Sequence, residues 1–194
     1  MTERYNPLFR AQLVGIIRLE GGYKLHKVKY DTGGLTYAGI TQRWHPDWPG
    51  WKYAQIAADE TDDVENRGNA QAVAREMVAE FYCREYWQPL RIMEIQSNMS
   101  AFALFSSAVN MGKVRAVRMA QRAAGVTVDG IIGPATVEAI NNSVDFVPKF
   151  QPAKIARYTD IVYANREQEK FLLGWNGRVF REYQEAKKLD GISG

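Results

Sequence analysis

Residues 6–23 read NPLFRAQLVGIIRLEGGY. Phe9, Leu13, Ile16 and Ile17 are spaced as one apolar face of a helix. Asn6 supplies an N-cap and Pro7 the fixed φ of a first helical residue. Gly21 and Gly22 supply the left-handed residue that ends many helices. The stretch predicts a helix over Pro7–Glu20 that stops abruptly on an acid. Extending the apolar stripe by one turn brings Glu20 onto the same face. Periodicity leaves two readings: the carboxylate bends into water, or it stays on the oily side. In the second, desolvation and the negative end of the helix dipole both favour the neutral acid. A protonated carboxyl is the group that general-acid cleavage of a glycosidic bond requires.

The chain continues at 30–41 with YDTGGLTYAGIT. Its glycines and threonines predict a small β-hairpin around Thr32–Gly33–Gly34. Asp31 reads either as a turn residue capping those glycines or, opposite Glu20, as the second carboxylate of a glycosidase. Residues 43–51, RWHPDWPGW, predict an irregular loop rich in aromatic rings. Trp44, Trp48 and Trp51, with Tyr37 and Tyr53, either offer faces to sugar rings or form a small core that anchors the loop.

Composition bounds the remaining choices. In 194 residues, 46% are hydrophobic and 24% charged, enough to bury a substantial core without a disordered majority. The net charge of +3 is too mild to mark a dedicated nucleic-acid binder, although it suits an anionic surface. A single cysteine, Cys83, excludes an internal disulfide and reads as a small buried hydrophobe. No apolar run approaches a membrane span, and the N-terminus does not read as a signal peptide. His26 and His45 fit no zinc spacing. Neither HExxH, paired CxxC, GxSxG nor a phosphate loop is present, so neither metal nor organic cofactor is expected.

Further helices are predicted over 69–87, 98–110, 113–124, 134–140, 152–165 and 167–189. No linker separates independent domains. The expected fold class is mainly α (α+β), with a small β-hairpin lobe near the N-terminus. A catalytic lobe over 1–95 and a helical lobe over 96–194 are expected to pack as one unit.

Read together, EGGY (20–23) and DTGGLTYAGIT (31–41) resemble the signature of glycoside hydrolase family 108, N-acetylmuramidases that include phage endolysins and secretion activators. YCREYW (82–87) and FSSAVNMG (105–112) are similar to later segments of that family, with serine at 106 where aspartate is usual. AQRAAGVTVDGIIGPATVEAI (120–140) resembles its C-terminal predicted peptidoglycan-binding region, and FLLGWNGRV (171–179) its closing segment. Lysines and a histidine, in KLHKVKYD (24–31), replace the short Asn-Asp-Pro-like stretch usual before the aspartate.

The resemblance implies a lysozyme-like helical fold and makes Glu20 the catalytic acid. A looser likeness to helical phage lysozymes adds Asp31 and Thr36 to the catalytic set. Tyr23, Tyr37, Trp44 and Asn110 are the expected substrate-binding residues. The implied reaction is hydrolysis of the β-1,4 bond between N-acetylmuramic acid and N-acetylglucosamine. A lytic transglycosylase and a non-catalytic wall-binding protein on the same scaffold are the alternatives. The expected partner is bacterial peptidoglycan, acted on by a monomer without nucleic acid or stable membrane insertion. Such a protein is made in the cytoplasm and reaches the wall through a holin or a secretion machine. The 120–140 segment reads either as a wall-binding helix–loop–helix or as a turn that starts a helix, and the structural reading is favoured.

Overall fold

A computed structural model describes residues 5–27, 34–59 and 63–189. The first helix, α1, spans Pro7–Leu19. Its start is as the sequence predicts: the Leu8 N–H donates to Asn6 Oδ1 at 2.7 Å, and Pro7 takes the first helical position, where no amide is missed. Its end is a Schellman motif. The Gly22 N–H donates to the Ile17 carbonyl at 2.8 Å and the Gly21 N–H to that of Arg18 at 3.3 Å. Gly21 takes φ +90°, leaving Glu20 as the C-cap residue.

The chain forms two compact units. One runs from Ile16 to Cys83 and holds the end of α1, a three-stranded sheet and two helices. The strands β1 (Leu25–Lys27), β2 (Leu35–Tyr37) and β3 (Ile40–Thr41) pair antiparallel in sequence order. Tyr37 faces Ile40 across a two-residue connection whose central residues, Ala38 and Gly39, have φ +50° and +81°. Positive φ at both positions is the type I′ geometry, whose twist matches that of the flanking strands. The predicted hairpin around residues 32–34 falls partly outside the described residues, which resume at Gly34 between β1 and β2.

Helix α2 (Gly50–Ala58) replaces the end of the expected irregular loop. Its first residue has no room for a side chain, because a Cβ on Gly50 would stand 2.1 Å from the Trp48 ring. Helix α3 (Val64–Tyr82) begins earlier than predicted, capped by Asp63 Oδ1, which accepts from the Asn66 N–H at 2.9 Å. Its last turns tighten onto the core through Val78, Ala79, Phe81 and Tyr82, all buried.

The other unit comprises the chain up to Gly15 and from Arg84 onward. A π-helical turn, Cys83–Trp87, prolongs α3. Trp87 is buried there, its ring 5.1 Å from Phe9 and 5.7 Å from Phe105. Helix α4 (Asn98–Met111) is buried on nearly every side from Ser100 to Ala108, the pattern of a helix surrounded by others. Gly112, at φ +87°, ends α4 and starts α5 (Lys113–Ala124), as predicted. Helix α6 (Pro134–Asn142) again carries proline at its first position. Helix α7 (Phe146–Ala164) starts a turn and a half before the predicted Pro152, which lies inside it, and α8 (Glu169–Lys187) closes the chain. Among the described residues no helix is long and apolar enough to cross a membrane.

Three fully buried polar side chains join α4, α7 and α8. Glu182 Oε2 accepts from Ser106 Oγ at 2.7 Å and from the Lys154 ammonium. Ser106, the position where a carboxylate was noted as usual, thus lies against a carboxylate delivered by α8.

Candidate active site

Glu20 is half-buried, and its side chain lies against the β2–β3 turn of the same unit. A Cβ placed on Gly39 would stand 2.8 Å from Glu20 Cγ and 2.6 Å from Tyr82 Oη. Only a glycine lets backbone, acid and phenol approach so closely. Tyr82 Oη in turn donates to the Ala38 carbonyl at 2.8 Å, a buried bond that ties α3 to the turn. The helix stop at Gly21 and Gly22 and the type I′ turn, itself pinned by the Tyr82 hydroxyl, therefore fix the base of Glu20.

Tyr37, which leads into this turn, belongs to a row of aromatic rings. The Arg75 guanidinium sits 4.9 Å over the Tyr23 ring, whose centroid is 6.1 Å from that of Tyr37. Tyr37 stacks on Trp48 at 6.2 Å, and Trp48 meets Trp51 edge-on at 5.1 Å. Trp51 Nε1 donates to the His45 carbonyl at 2.7 Å. Trp48 and Trp51 are thus the small core that anchors the loop. Tyr37, at 2% exposure, lies inside this row, and its hydroxyl has no hydrogen-bond partner among the described residues. Burial raises its pKa above the usual phenol value, partly opposed by the Arg75 charge. Trp44 differs from the other two tryptophans. It is 71% exposed, with the Arg43 guanidinium 5.2 Å from its ring, and so presents an open aromatic face.

Thr36, buried at 9% exposure, occupies the middle strand, opposite His26 on β1 and Thr41 on β3. Asp31 lies outside the described residues. Asn110 is exposed near the end of α4 in the other unit, where its Oδ1 accepts from Tyr158 Oη at 2.8 Å. Tyr158 stacks on Trp175 at 5.2 Å. Within the Ile16–Cys83 unit, Glu20, Tyr23, Thr36, Tyr37 and Trp44 share one structural body. Gly39 and Tyr82 were absent from the sequence-derived site. Both stood in quoted motifs, TYAGIT and YCREYW, yet their spacing carried no sign that they would meet. Among the described residues no group of three or more histidine, cysteine or acidic side chains is gathered as metal ligands would be.

In the other unit, the 120–140 landmarks hold each other. Buried Gln121 donates through Nε2 to Asp129 Oδ1 at 2.7 Å and to the Ile131 carbonyl at 3.0 Å, while its Oε1 accepts from the Gly130 N–H at 2.9 Å. Asp129 Oδ1 also accepts from the Ile131 N–H at 2.8 Å. This clasp shapes the loop that delivers Pro134 to the start of α6.

Comparison with known proteins agrees with the order of these motifs. The sequence model of glycosyl hydrolase 108 matches residues 13–112, and that of a predicted peptidoglycan domain matches residues 115–180. No curated protein matches. Among solved structures, SagA of Brucella abortus shares the fold at a TM-score of 0.69 and 23% identity, covering 95% of this chain and 97% of its own. With its first match spanning the acid, the turn and the tyrosine described above, the chain belongs to the glycosyl hydrolase 108 family, a glycoside hydrolase followed by a predicted peptidoglycan domain.

Proposed function

We infer that this peptidoglycan hydrolase is an N-acetylmuramidase that cuts the β-1,4 bond between N-acetylmuramic acid and N-acetylglucosamine, with Glu20 as general acid. The observation that carries the reading is the seating of Glu20: a half-buried carboxylate at a helix terminus, held against a glycine turn beside an aromatic row. Protonation of the bridging oxygen by a positioned acid contributes about 10²–10⁴-fold to rate. Asp31 is assigned the second carboxylate role, stabilising positive charge on the sugar or activating water. Thr36 is assigned to positioning that water or carboxylate. Tyr23 and Trp44 supply amphipathic faces to sugar rings, and Tyr37 packs beside Tyr23.

Purified sacculi treated with wild type and with Glu20→Gln test the reading. Wild type should clear the suspension and release reducing N-acetylmuramic acid ends. The variant should melt at the wild-type temperature and lose at least 100-fold in rate. Anhydromuramic ends would establish a lytic transglycosylase instead. A folded, fully active Glu20→Gln would remove Glu20 from the mechanism.

A further inference from the structure

Helix α5 breaks two local rules. Its sequence, KVRAVRMAQRAA, carries four basic residues and no acidic one, with no acid in its first turn. Lys113 and Arg115 therefore sit at the positive end of the helix dipole, where cations are disfavoured. Arg118 follows Arg115 by three residues and precedes Arg122 by four, so like charges stack along one face. Lys113 is partly compensated by Glu85 and Arg115 by the Met111 carbonyl at 3.1 Å, but the run as a whole breaks the rule, and a functional reason is the first to seek.

The same residues line a groove of about 690 Å³ between α5 and α7. Its charged lining is Lys113, Arg115, Arg118, Arg122 and Arg157, against the single acid Asp160. Two further acids act at its margins. Glu85 lies 3.9 Å from Lys113 Nζ, which also donates to the Glu85 carbonyl, and Asp129 is close enough to Arg118 to feel its charge. The groove keeps a cationic excess after these are counted. Arg157 Nε is buried and has no hydrogen-bond partner among the described residues. Between the cations the lining is apolar or small, with Met111, Val114, Met119, Ala153 and Ala156. The volume falls within the 300–1,000 Å³ typical of small-ligand sites, on the order of a short peptide.

We propose that this groove binds the carboxylates of the peptide stem of peptidoglycan, the aliphatic stem lying on the apolar strip and its acidic groups meeting Arg118 and Arg157. The assignment rests on peptidoglycan being the substrate. A short peptide with several carboxylates matches both the charge and the apolar lining. A nucleic-acid duplex would instead ask for a basic surface wider than a single groove.

The test uses the full chain carrying Glu20→Gln and a fluorescently labelled disaccharide–tetrapeptide as probe, followed by anisotropy. Arg118→Gln/Arg157→Gln should weaken binding at least tenfold, and Arg122→Gln alone about threefold. Converting the probe's carboxylates to amides should cause the same loss on the unsubstituted groove, and rising salt should weaken binding to the acidic probe. Equal affinity for the amidated and acidic probes would overturn the proposal, whatever the double variant's folding. A folded double variant with unchanged affinity would overturn it too, as would displacement of the probe by a DNA duplex at lower concentration. Release of reducing ends from sacculi by wild type is measured in parallel. Release without carboxylate-dependent binding sinks the groove alone, whereas carboxylate-dependent binding without release sinks the hydrolase reading alone.

Discussion

The α-carbon of Gly39 faces the side chain of Glu20 so closely that a methyl group there would stand 2.8 Å from Glu20 Cγ. The turn and the acid are therefore fitted to one another. Gly39 holds φ +81°, and it follows Ala38, a non-glycine residue at φ +50° that already carries left-handed strain. The strained connection is retained where it presses on the proposed acid.

Gly39→Ala should accordingly do more than stiffen a turn. The added methyl meets Glu20 and Tyr82 and must adopt a left-handed backbone, costing about 2–4 kcal/mol in stability. Sacculus clearing should fall further than the folded fraction alone accounts for, because Glu20 must move to make room. Thermal denaturation together with clearing rate checks this. An alanine variant that melts and clears like wild type would show that the close fit is incidental.

Tyr82→Phe isolates the other side of the same turn. Removing the hydroxyl leaves the buried Ala38 carbonyl without its 2.8 Å donor, a loss of about 1–3 kcal/mol. The melting temperature should fall by several degrees, given about 2–4 °C per kcal/mol for a chain of this size. In the clearing assay kcat should drop more than KM changes, as expected when an acid loses its support and the sugar subsites do not.

Helix α1 was legible because three independent signals agreed: apolar spacing, the Asn6–Pro7 start and the paired glycine stop. The limits predicted for α5 are those observed, between Gly112 and Gly125. Elements whose cause is tertiary were not legible. Nothing in YAGI announces that Ala38 adopts positive φ, since alanine there is held by Tyr82 from residues far along the chain. Helix α2 was hidden because Pro46, Pro49 and Gly50 read as loop, whereas Pro49 and Gly50 in fact start a helix under the Trp48 ring. Pro152 pulled the predicted start of α7 too late, because an internal proline resembles a boundary when packing is unseen. For the candidate site, Glu20 and Trp44 are proposals that the sequence could offer, but the approach of Gly39 and Tyr82 depends on distances that spacing does not encode.

The buried trio of α4, α7 and α8 gives a prediction about stability rather than chemistry. Burial pushes the Lys154 ammonium below its ordinary pKa, and the Glu182 carboxylate opposes that. Lys154→Met alone should cost about 3–5 kcal/mol, because Glu182 is left as a buried charge without its cation. Lys154→Met/Glu182→Leu should recover much of that loss. Ser106→Asp should also destabilise, since it sets a second carboxylate against Glu182 with only one lysine to share. Chemical denaturation of these proteins and of Glu182→Leu alone decides the matter, and losses that add in the double variant would show that the pair is not coupled.

The clasp at 121–131 predicts a dependence on pH. The Ile131 N–H and then Gln121 Nε2, both donating to Asp129 Oδ1, hold the Asp129 carboxyl below the usual carboxylate range. Its folded pKa thus lies below the unfolded one, so between the two values the unfolded chain binds more protons than the folded chain. Stability from this group is fully present above the unfolded value of about 3.9 and is lost as pH falls through the folded value. Asp129→Asn keeps an acceptor at this position but cannot titrate. Wild type should therefore be more stable than Asp129→Asn at pH 7, and the difference should shrink steadily below about pH 4. Melting curves of both proteins from pH 7 to pH 2.5 measure it. A gap that stays constant across that range would mean that Asp129 holds the loop by shape alone, without help from its charge.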